Sequence, residues 1–337
     1  MRLLVTGGAG FIGSEFVRQT ITRHPDDSVV VLDKLTYAGN IHNLDPVADT
    51  GAFSFVHGDV CDMELVDTLV GGVDVIVNFA AESHVDRSLE APGQFIQTDV
   101  YGTFVLLEAA RRAGHARFLQ VSTDEVYGDV EEGSSSESDP LRPRSPYSAS
   151  KAGAELMVWA YRASYGMPVI TTRGSITYGP YQYPEKIIPL FITNAIDDVP
   201  LPIYGDGGAV RDYLHVSDHA RGIDTALRSG TPGQVYNIGF GGEVSGVAVA
   251  DAVLAALEKP AALKTHVRDR PGHDRRYAVD SSRLRSLGWE PQVPFAEGAR
   301  DTATWYRDHE DWWRPLKSGE FWDFYRRNYK PLEPARG

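Results

Sequence analysis

The chain has 337 residues, of which 42% are hydrophobic and 23% are charged, and this composition is typical of a globular protein with one or two domains. The formal net charge of -13 argues against non-specific binding to nucleic acid or anionic membranes, because such binding depends on Lys and Arg. The single cysteine, Cys61, excludes an intrachain disulfide framework and a cysteine-rich zinc site, so we expect a protein of the reducing cytoplasm.

The N-terminal half alternates β-branched segments with segments of helical spacing. Strands are predicted at 3–6, 29–32, 53–57, 73–79 and 117–122, and helices at 13–23 and 98–113. This alternation predicts an α/β fold with a doubly wound parallel Rossmann sheet. No segment approaches the roughly 20 uninterrupted apolar residues of a membrane span, and the first apolar run is too short for a signal peptide.

After about residue 170 the pattern changes to shorter helices between loops rich in proline and glycine. We expect residues 1–172 to form the sheet domain, which also carries the catalytic residues. Residues 173–316 are expected to form mainly a smaller substrate domain, with some chain returning to the sheet, and 317–337 a C-terminal tail. The low-complexity stretch 131–138 is predicted to be an exposed, mobile loop.

A glycine-rich loop directly follows the first predicted strand. Gly7, Gly10 and Gly13 form a G-x-x-G-x-x-G pattern between that strand and the first helix. Glycines here let the backbone approach a pyrophosphate at the helix N-terminus, although an ordinary tight turn would also use them. The position between strand and helix favours a dinucleotide site.

Asp33 ends the second predicted strand, where dinucleotide-binding folds place an acidic residue against the adenosine ribose. A carboxylate there repels a 2′-phosphate, so NAD is predicted, and the neighbouring Lys34 keeps NADP open as the alternative. Asp59 ends the third predicted strand, and it is either a contact to the adenine or an ordinary turn residue.

Tyr147 and Lys151 are spaced i,i+4, which puts both on one face of a helix that Pro146 is suited to begin. A phenol titrates near pH ~10, so a nearby ammonium and a nicotinamide cation are needed if the tyrosine is to deprotonate a hydroxyl. Because Tyr-x-x-x-Lys arises readily by chance, the prediction of an oxidising pair depends on its surroundings.

Asp124 and Glu125 follow the predicted strand 117–122 at its carboxyl end, where doubly wound sheets bind ligands. Successive side chains of a strand point to opposite faces, so the two carboxylates converge only if the strand has ended before them. They are either the acid and base of an elimination or a helix-capping, solvent-exposed pair.

The chain contains five characteristic motifs, TGGAGFIG at 6–13, LTYAGN at 35–40, AAESHVDRS at 80–88, STDEVYG at 122–128 and PYSASKA at 146–152. Together they resemble the dTDP-glucose 4,6-dehydratases of the extended short-chain dehydrogenase/reductase superfamily, and the resemblance continues at 179–186 and 211–221. It covers nearly the whole chain to about Leu316. Thr-Asp-Glu at 123–125 is its most discriminating element, since related epimerases commonly have Ser-Ser or Ser-Ala there.

The resemblance implies a mechanism on a sugar nucleotide with NAD. Tyr147 would remove the proton of the 4-hydroxyl as hydride leaves C4, Thr123 would hydrogen-bond the 4-oxygen, and Lys151 would hold the nicotinamide ribose and acidify the tyrosine. Glu125 would take the C5 proton and Asp124 would protonate the departing 6-hydroxyl, before the hydride returns to C6. Asp124 needs a proton at neutral pH, so burial and the charge of Glu125 are predicted to raise its pKa.

The resemblance also implies the residues that hold the two ligands. The cofactor set is Gly7, Gly10, Phe11, Ile12, Gly13, Asp33, Lys34, Leu35, Thr36, Gly39, Asp59, Val60, Ala80, Ala81, Ser83, Thr98, Tyr147 and Lys151. The substrate set is Ser83, His84, Thr123, Asp124, Glu125, Ile176, Lys186, Pro202, Tyr204, Arg211 and His273. Lys186 and Arg211 would offer charge to the diphosphate, with a plain surface ion pair as the alternative for each.

Two positions depart from the family's pattern. Ile176 stands where the family usually has an asparagine whose amide contacts the sugar nucleotide, and the segment 237–246, ending at Gly246, has glycines where asparagines are common. A ligand group left unpaired costs about 1 to 3 kcal/mol. The reaction is therefore better supported than the substrate.

Other interpretations remain open. A UDP-sugar 4-epimerase or a UDP-glucuronate decarboxylase would share Tyr147, Lys151 and NAD without needing an elimination pair, and a non-catalytic dinucleotide sensor would keep only the fold. His215 and His219 are spaced i,i+4, but their segment matches a family stretch without metal, so no metal is expected. Helices 98–113 and 148–165 resemble a pair that builds a four-helix interface in this superfamily, so we expect a homodimer.

Overall fold

The structure is a computed structural model that describes residues 1–114, 116–269 and 274–329. Its strands are β1 Arg2–Thr6, β2 Ser28–Asp33, β3 Phe53–His57, β4 Val75–Asn78, β5 Arg117–Thr123, β6 Val169–Gly174, β7 Ile176–Tyr178, β8 Leu201–Tyr204, β9 Val210–His215, β10 Val235–Ile238, β11 Glu243–Ser245 and β12 Lys264–Val267. Within the described residues, no helix is long and apolar enough to cross a membrane.

Helices connect these strands. The α-helices are α1 Phe11–Arg23, α2 Met63–Val70, α3 Val85–Glu90, α4 Pro92–Phe95, α5 Gly102–Arg112, α6 Pro146–Tyr165, α7 Ile187–Ile196, α8 Val216–Ser229, α9 Gly246–Ala256, α10 Ser282–Arg285, α11 Phe295–Asp308, α12 Glu310–Trp313 and α13 Gly319–Asn328. Segments of 3₁₀-helix span Ile41–Thr50, Asp124–Tyr127, Ala261–Leu263 and Arg314–Leu316, and a π-helical turn spans Ile96–Tyr101.

Seven of the described strands form one parallel sheet in the order β10-β6-β5-β4-β1-β2-β3. The order reverses at β1, where Leu4 pairs with Ile76 of β4 on one side and with Val30 of β2 on the other. Such a reversal leaves a crevice at the carboxyl ends of the strands, where doubly wound sheets bind their ligands. The predicted α/β fold with a doubly wound parallel sheet is confirmed.

The central strands are apolar because both faces of the sheet are covered. In β1, Leu3, Leu4 and Val5 are all fully buried. Leu3 and Val5 belong to the core on one face of the sheet, and Leu4 belongs to the core on the other. Side chains alternate between faces along a strand, so a continuous apolar run is the expected pattern of a sheet that lies between two layers of helices.

A second core supports a smaller region built on two short sheets, ordered β11-β9-β7 and β12-β8. Its fully buried members include Phe191 of α7, Leu201 of β8 and Tyr306 of α11. The chain also returns to the large sheet, because β10 pairs with β6 and α8 packs against α1, where Ile223 joins the first core. The cleft between the two regions lies at the carboxyl ends of the large sheet.

The structure differs from two expectations about local order. The helix predicted at 98–113 starts as the π-helical turn and is α-helical only from Gly102. The stretch 131–138 is anchored, since the Ser135 amide donates to the Ala278 carbonyl at 2.9 Å and the Glu137 carboxylate accepts from the Asn237 amide at 3.0 Å. These partners lie far along the chain, so composition alone does not reveal them.

The C-terminal segment 317–329, expected within a tail, contains helix α13. Phe321 and Phe324 of this helix are buried, and Phe321 belongs to the second core. The side chain of Arg327 lies 3.4 Å from Glu90 at the end of α3. The helix therefore connects the smaller region to the sheet domain beside the cleft.

Candidate active site

The glycine loop brings backbone close to the carboxyl edge of the sheet. Gly7 has a φ of +67°, and a Cβ there would lie 2.7 Å from the Ala80 amide nitrogen. A Cβ on Gly13 would lie 2.3 Å from the Gly7 carbonyl oxygen. Helix α1 follows Gly10 with no side-chain cap, so its first amides are left for an anion. Close backbone and an uncapped helix fit the pyrophosphate of a dinucleotide.

The acidic residue that ends β2 is held in part by this loop. Asp33 accepts hydrogen bonds from the backbone amides of Ala9 at 2.9 Å and Leu35 at 2.8 Å. Lys34 instead pairs with Asp59, with 2.7 Å between Nζ and Oδ2. Burial acts to raise the pKa of Asp59, but the hydrogen bond from Lys34 lowers it below its usual range. The Lys34 cation is thus engaged, which favours NAD over NADP.

The predicted cofactor residues, with one exception, line a single cleft with a cavity of about 430 Å³. Those in its walls are Gly7, Gly10, Phe11, Ile12, Gly13, Asp33, Lys34, Thr36, Gly39, Asp59, Val60, Ala80, Ala81, Ser83, Thr98, Tyr147 and Lys151. Leu35 is not among the lining residues of the described chain. It has a φ of 51° and shapes the turn after β2 through its hydrogen bond to Asp33.

The two adjacent carboxylates follow directly on β5. The strand ends at Thr123, and a single 3₁₀ turn begins at Asp124. Thr123 Oγ1 accepts a hydrogen bond from the Glu125 amide at 3.3 Å and donates one to Asp124 Oδ1 at 3.2 Å. The strand has therefore ended before the two carboxylates, which is the condition for their side chains to converge.

Asp124 is a buried carboxyl group. Its side chain is 1% exposed, and Oδ2 has no hydrogen-bond partner among the described residues. Burial, then the charge of Glu125 and then that of Asp212, raises the pKa of Asp124 well above its usual range. The predicted rise is confirmed, and a carboxyl group with a raised pKa is suited to act as a proton donor.

Tyr147 and Lys151 lie one turn apart on α6. The helix begins with a capping box, in which Ser145 Oγ accepts from the Ser148 amide at 3.0 Å. Lys151 is buried, and its Nζ donates to the Val121 carbonyl of β5 at 2.8 Å. The ammonium thus lies against the strand that leads directly into the two carboxylates.

The pKa of Tyr147 corrects one expectation. Burial, then the charges of Glu125 and Asp99, raises it well above the usual range of a phenol, and a hydrogen bond with Thr123 opposes the rise. We expected Lys151 to acidify the tyrosine, but that expectation left out these carboxylates. Tyr147 is therefore a neutral phenol in this structure.

The predicted substrate residues lie on the other side of the same cleft, with two exceptions. Those in its walls are Ser83, His84, Thr123, Glu125, Ile176, Lys186, Pro202, Tyr204 and Arg211. Asp124 lies behind this surface in the described chain. His273 lies outside the described residues.

The two cations predicted for the diphosphate contact backbone carbonyl groups. Lys186 Nζ donates to the Ser83 carbonyl at 2.5 Å, across the cleft from α7 to the loop after β4. Arg211 donates to the carbonyls of Val210 at 2.8 Å and Asp274 at 2.7 Å, and its guanidinium lies 4.4 Å from the centre of the Tyr277 ring. The Arg211 side chain is therefore fixed in direction at the cleft wall.

Several residues that line the cleft were missed from the sequence. Glu82 lies between two residues of the predicted cofactor set, and Glu185 precedes Lys186, so their neighbours carried a signal. Tyr329 carried none, because it reaches the cleft only through the packing of α13, with its ring 5.5 Å from that of Tyr204. The C-terminal segment thus contributes a wall of the substrate side.

The paired histidines have separate partners. His215 Nδ1 lies 2.7 Å from Ser217 Oγ, and His219 Nδ1 lies 2.7 Å from Thr177 Oγ1. Burial lowers the pKa of His219 to about 4. In the described part of the chain, no group of three or more His, Cys, Asp or Glu side chains is arranged to hold a metal ion.

Comparison with known proteins agrees with this geometry. The family described as GDP-mannose 4,6 dehydratase matches residues 4–302. A dTDP-glucose 4,6-dehydratase of Streptomyces niveus is 51% identical over 323 residues, which cover 94% of this chain and 96% of that protein.

Solved structures are also similar. The crystal structure of a dTDP-glucose 4,6-dehydratase from Streptomyces venezuelae with NAD bound is 51% identical, with a TM-score of 0.92, and the match covers 94% of this chain and 100% of that one. A UDP-glucose 4-epimerase of Thermus thermophilus in complex with NAD is 34% identical, with a TM-score of 0.85, over 92% of this chain and 100% of the other. The chain is therefore similar to an epimerase as well as to dehydratases, and both the sequence identity and the TM-score are higher for the dehydratase.

Proposed function

Because the chain belongs to the dTDP-glucose 4,6-dehydratase family, we propose that it converts dTDP-glucose to dTDP-4-keto-6-deoxyglucose with NAD, through the residues at the ends of β5 and α6. The observation that carries the proposal is the buried carboxyl group of Asp124 beside Glu125, directly after Thr123. An enzyme that only oxidises and reduces a sugar needs no such pair.

NAD would be held by the glycine loop, by Asp33 at the adenosine ribose, and by Lys151 at the nicotinamide ribose. When bound, the cofactor would supply a hydride acceptor for C4 and a positive charge in the cleft in its oxidised form, and a hydride donor for C6 in its reduced form. The 430 Å³ cavity and the engaged Lys34 support this assignment.

Tyr147 would take the proton of the 4-hydroxyl, which leaves a carbonyl at C4. Thr123 would hydrogen-bond the 4-oxygen through the hydroxyl that now bonds Asp124. The carboxylates that raise the pKa of Tyr147 make its phenolate unfavourable until positive charge enters the cleft. This dependence would couple removal of the 4-hydroxyl proton to the presence of the oxidised cofactor.

The 4-keto group acidifies the proton on C5, and Glu125 would remove it. Asp124, whose pKa is raised by burial, would give its proton to the 6-hydroxyl, so that the C6–O bond breaks and water leaves. Hydride then adds to C6 and a proton to C5. The sum is loss of one water, with the nicotinamide returned to its starting state.

Lys186 and Arg211 would face the diphosphate, and Ser83, His84, Pro202 and Tyr204 would line the rest of the sugar-nucleotide site. We assign residues 1–172 mainly to the cofactor and chemistry and 173–316 mainly to the substrate. We also assign His273 to the residues that bind the sugar nucleotide.

The test is product identification with dTDP-glucose beside UDP-glucose, with NAD supplied. A 4-keto-6-deoxy sugar from dTDP-glucose is expected. A C4 epimer or a decarboxylated sugar would point to the other enzymes of this fold, and NAD binding without turnover would point to a sensor.

Asp124→Asn combined with Glu125→Gln is the decisive variant. We expect product formation to fall by at least about a hundredfold, because proton transfer by positioned side chains contributes on that order. Asp129→Asn, on the loop beyond the turn, is the matched control and should keep the parent rate. Equal rates in the parent and the double variant would overturn the assignment of the pair.

We further propose that the protein is a cytoplasmic homodimer. The apolar side chains of Leu156 and Trp159 on α6 and Ile96 on the π-helical turn are about 60% exposed (61%, 60% and 60%), and the turn packs directly beside α6. Clustered exposed apolar side chains of this kind support a protein interface.

A further inference from the structure

Asp99 is a buried acid that the proposed mechanism does not use. It lies in the π-helical turn Ile96–Tyr101 and is 1% exposed. Turns of this kind are rare and occur frequently at functional sites. The turn packs against α6, the helix that carries Tyr147 and Lys151.

The Asp99 carboxylate connects two walls of the site. Oδ1 accepts a hydrogen bond from the Glu82 amide at 2.9 Å, in the loop after β4 that lines the cleft. Oδ2 accepts from Ser150 Oγ at 2.5 Å, on the residue directly before Lys151. The carboxylate therefore fixes the cofactor side of the cleft against the catalytic helix.

Asp99 is also the main counter-charge of Lys151. Burial lowers the pKa of Lys151, and the opposing charges are Asp99 first and Glu155 second. Glu155 already pairs with Arg173 at 2.6 Å, so its charge is compensated. Asp99 has no cation within ion-pair distance in the part of the chain that the structure describes.

The relation is reciprocal. Burial raises the pKa of Asp99 to about 6, and the largest opposing effects are the charge of Lys151 and the hydrogen bond from Ser150. The charge of Glu82 acts in the same direction as burial. The charge of Asp99 in turn raises the pKa of Tyr147, after burial and Glu125.

We propose that Asp99 is a positioning residue for the oxidising pair, whose carboxylate keeps the buried Lys151 ammonium charged and holds Glu82 and Ser150 together across the cofactor side of the cleft. The inference rests on the proposed roles of Tyr147 and Lys151. It requires Asp99 to be ionised, so the enzyme should lose activity as the pH falls through about 6.

Asp99→Asn keeps the shape and removes the charge. Loss of a nearby negative charge lowers the pKa of Lys151, so the alkaline limb of the pH profile of kcat should move to lower pH, and the acid limb that comes from the titration of Asp99 should disappear. The variant is neutral at this position at every pH, so its kcat at pH 8 should fall towards the value that the parent shows below its acid limb. KM for the sugar nucleotide should stay within about twofold.

Ser150→Ala keeps the charge and removes one hydrogen bond to it. That hydrogen bond lowers the pKa of Asp99, so without it Asp99 stays protonated to higher pH. The acid limb should move to higher pH while the alkaline limb stays in place. The two variants therefore change the acid limb in different ways, because one removes it and the other raises it, which a general loss of packing does not do.

The readouts separate this inference from the proposed function. Turnover of dTDP-glucose by the parent tests the proposed function. The acid and alkaline limbs of the pH profile of kcat in the two variants, compared with those of the parent, test the role of Asp99. An acid or alkaline limb of Asp99→Asn that stays at the parent pH, or an acid limb of Ser150→Ala that does not rise, would overturn the inference. If thermal melting shows that Asp99→Asn does not fold, the acid limb of Ser150→Ala decides alone.

Discussion

Lys34 and Asp59 form an ion pair of 2.7 Å at the carboxyl edge of the sheet, where β2 and β3 end. Because its ammonium is paired with Asp59, Lys34 is not available to bind the 2′-phosphate of NADP. Asp33, one residue earlier, adds a carboxylate that is fixed by two backbone amides. The preference for NAD over NADP thus depends on the negative charge of Asp33 and on the positive charge of Lys34, which is already paired with Asp59.

Asp59→Asn should weaken the preference for NAD. The freed Lys34 would be available to the 2′-phosphate of NADP. The dissociation constant of NADP divided by that of NAD, both measured by fluorescence titration, should therefore fall about fivefold, which is the scale of one partly exposed ion pair. Lys34→Ala in the same background removes the cation and should abolish the gain. An equal ratio in the single and the double variant would refute this role of Lys34.

Asp124 should make the stability of the protein depend on pH. Burial, the Glu125 charge and the Asp212 charge raise its folded pKa, so between the unfolded value near 3.8 and the folded value the folded state binds more protons than the unfolded state. Its contribution to stability is fully present below 3.8 and is lost as the pH rises through the folded pKa.

Asp124→Asn removes this titration. In urea unfolding at pH 5 and pH 8, the free energy of unfolding of the parent should fall relative to that of the variant as the pH rises. Asp129→Asn, which removes an acid on a neighbouring loop, should follow the parent. A difference between parent and Asp124→Asn that is independent of pH would show that Asp124 has an ordinary pKa.

The parts of the site that were predictable are those fixed by local sequence. Asp33 and Thr123 end strands because β-branched runs stop there, and parallel strands bring their carboxyl ends to one edge. Gly7 and Gly13 were predictable because they belong to a G-x-x-G-x-x-G pattern placed between a predicted strand and a predicted helix. These signals need no knowledge of distant contacts.

The rest depends on residues far apart in the chain. Tyr329 reaches the cleft only because α13 packs on the second core, and no local pattern predicts that. The high pKa of Tyr147 follows from burial and from two acids on other elements, Glu125 and Asp99. A motif gives the spacing of Tyr147 and Lys151 but not the charges that surround them.

Ile176→Asn should strengthen substrate binding. Ile176 is half-buried on β7 and lines the substrate side of the cleft, so an amide there can reach a polar group of the sugar nucleotide that isoleucine leaves unpaired. KM for dTDP-glucose should fall about tenfold, within the range for one buried hydrogen bond. Ile176→Val, which stays apolar, should not lower KM, and equal KM values for the two variants would contradict the argument.

Trp159→Glu should separate the proposed dimer. Trp159 and Leu156 lie one turn apart on α6 with about 60% of each side chain exposed (60% and 61%), so a charge at their centre would be buried without a partner in the interface. Sedimentation equilibrium should give a dimer for the parent and a monomer for the variant. Ala48→Glu adds the same charge on an exposed segment over the opposite face of the sheet and should stay dimeric. A parent that sediments as a monomer, or a Trp159→Glu variant that stays dimeric, would show that this face is not the interface.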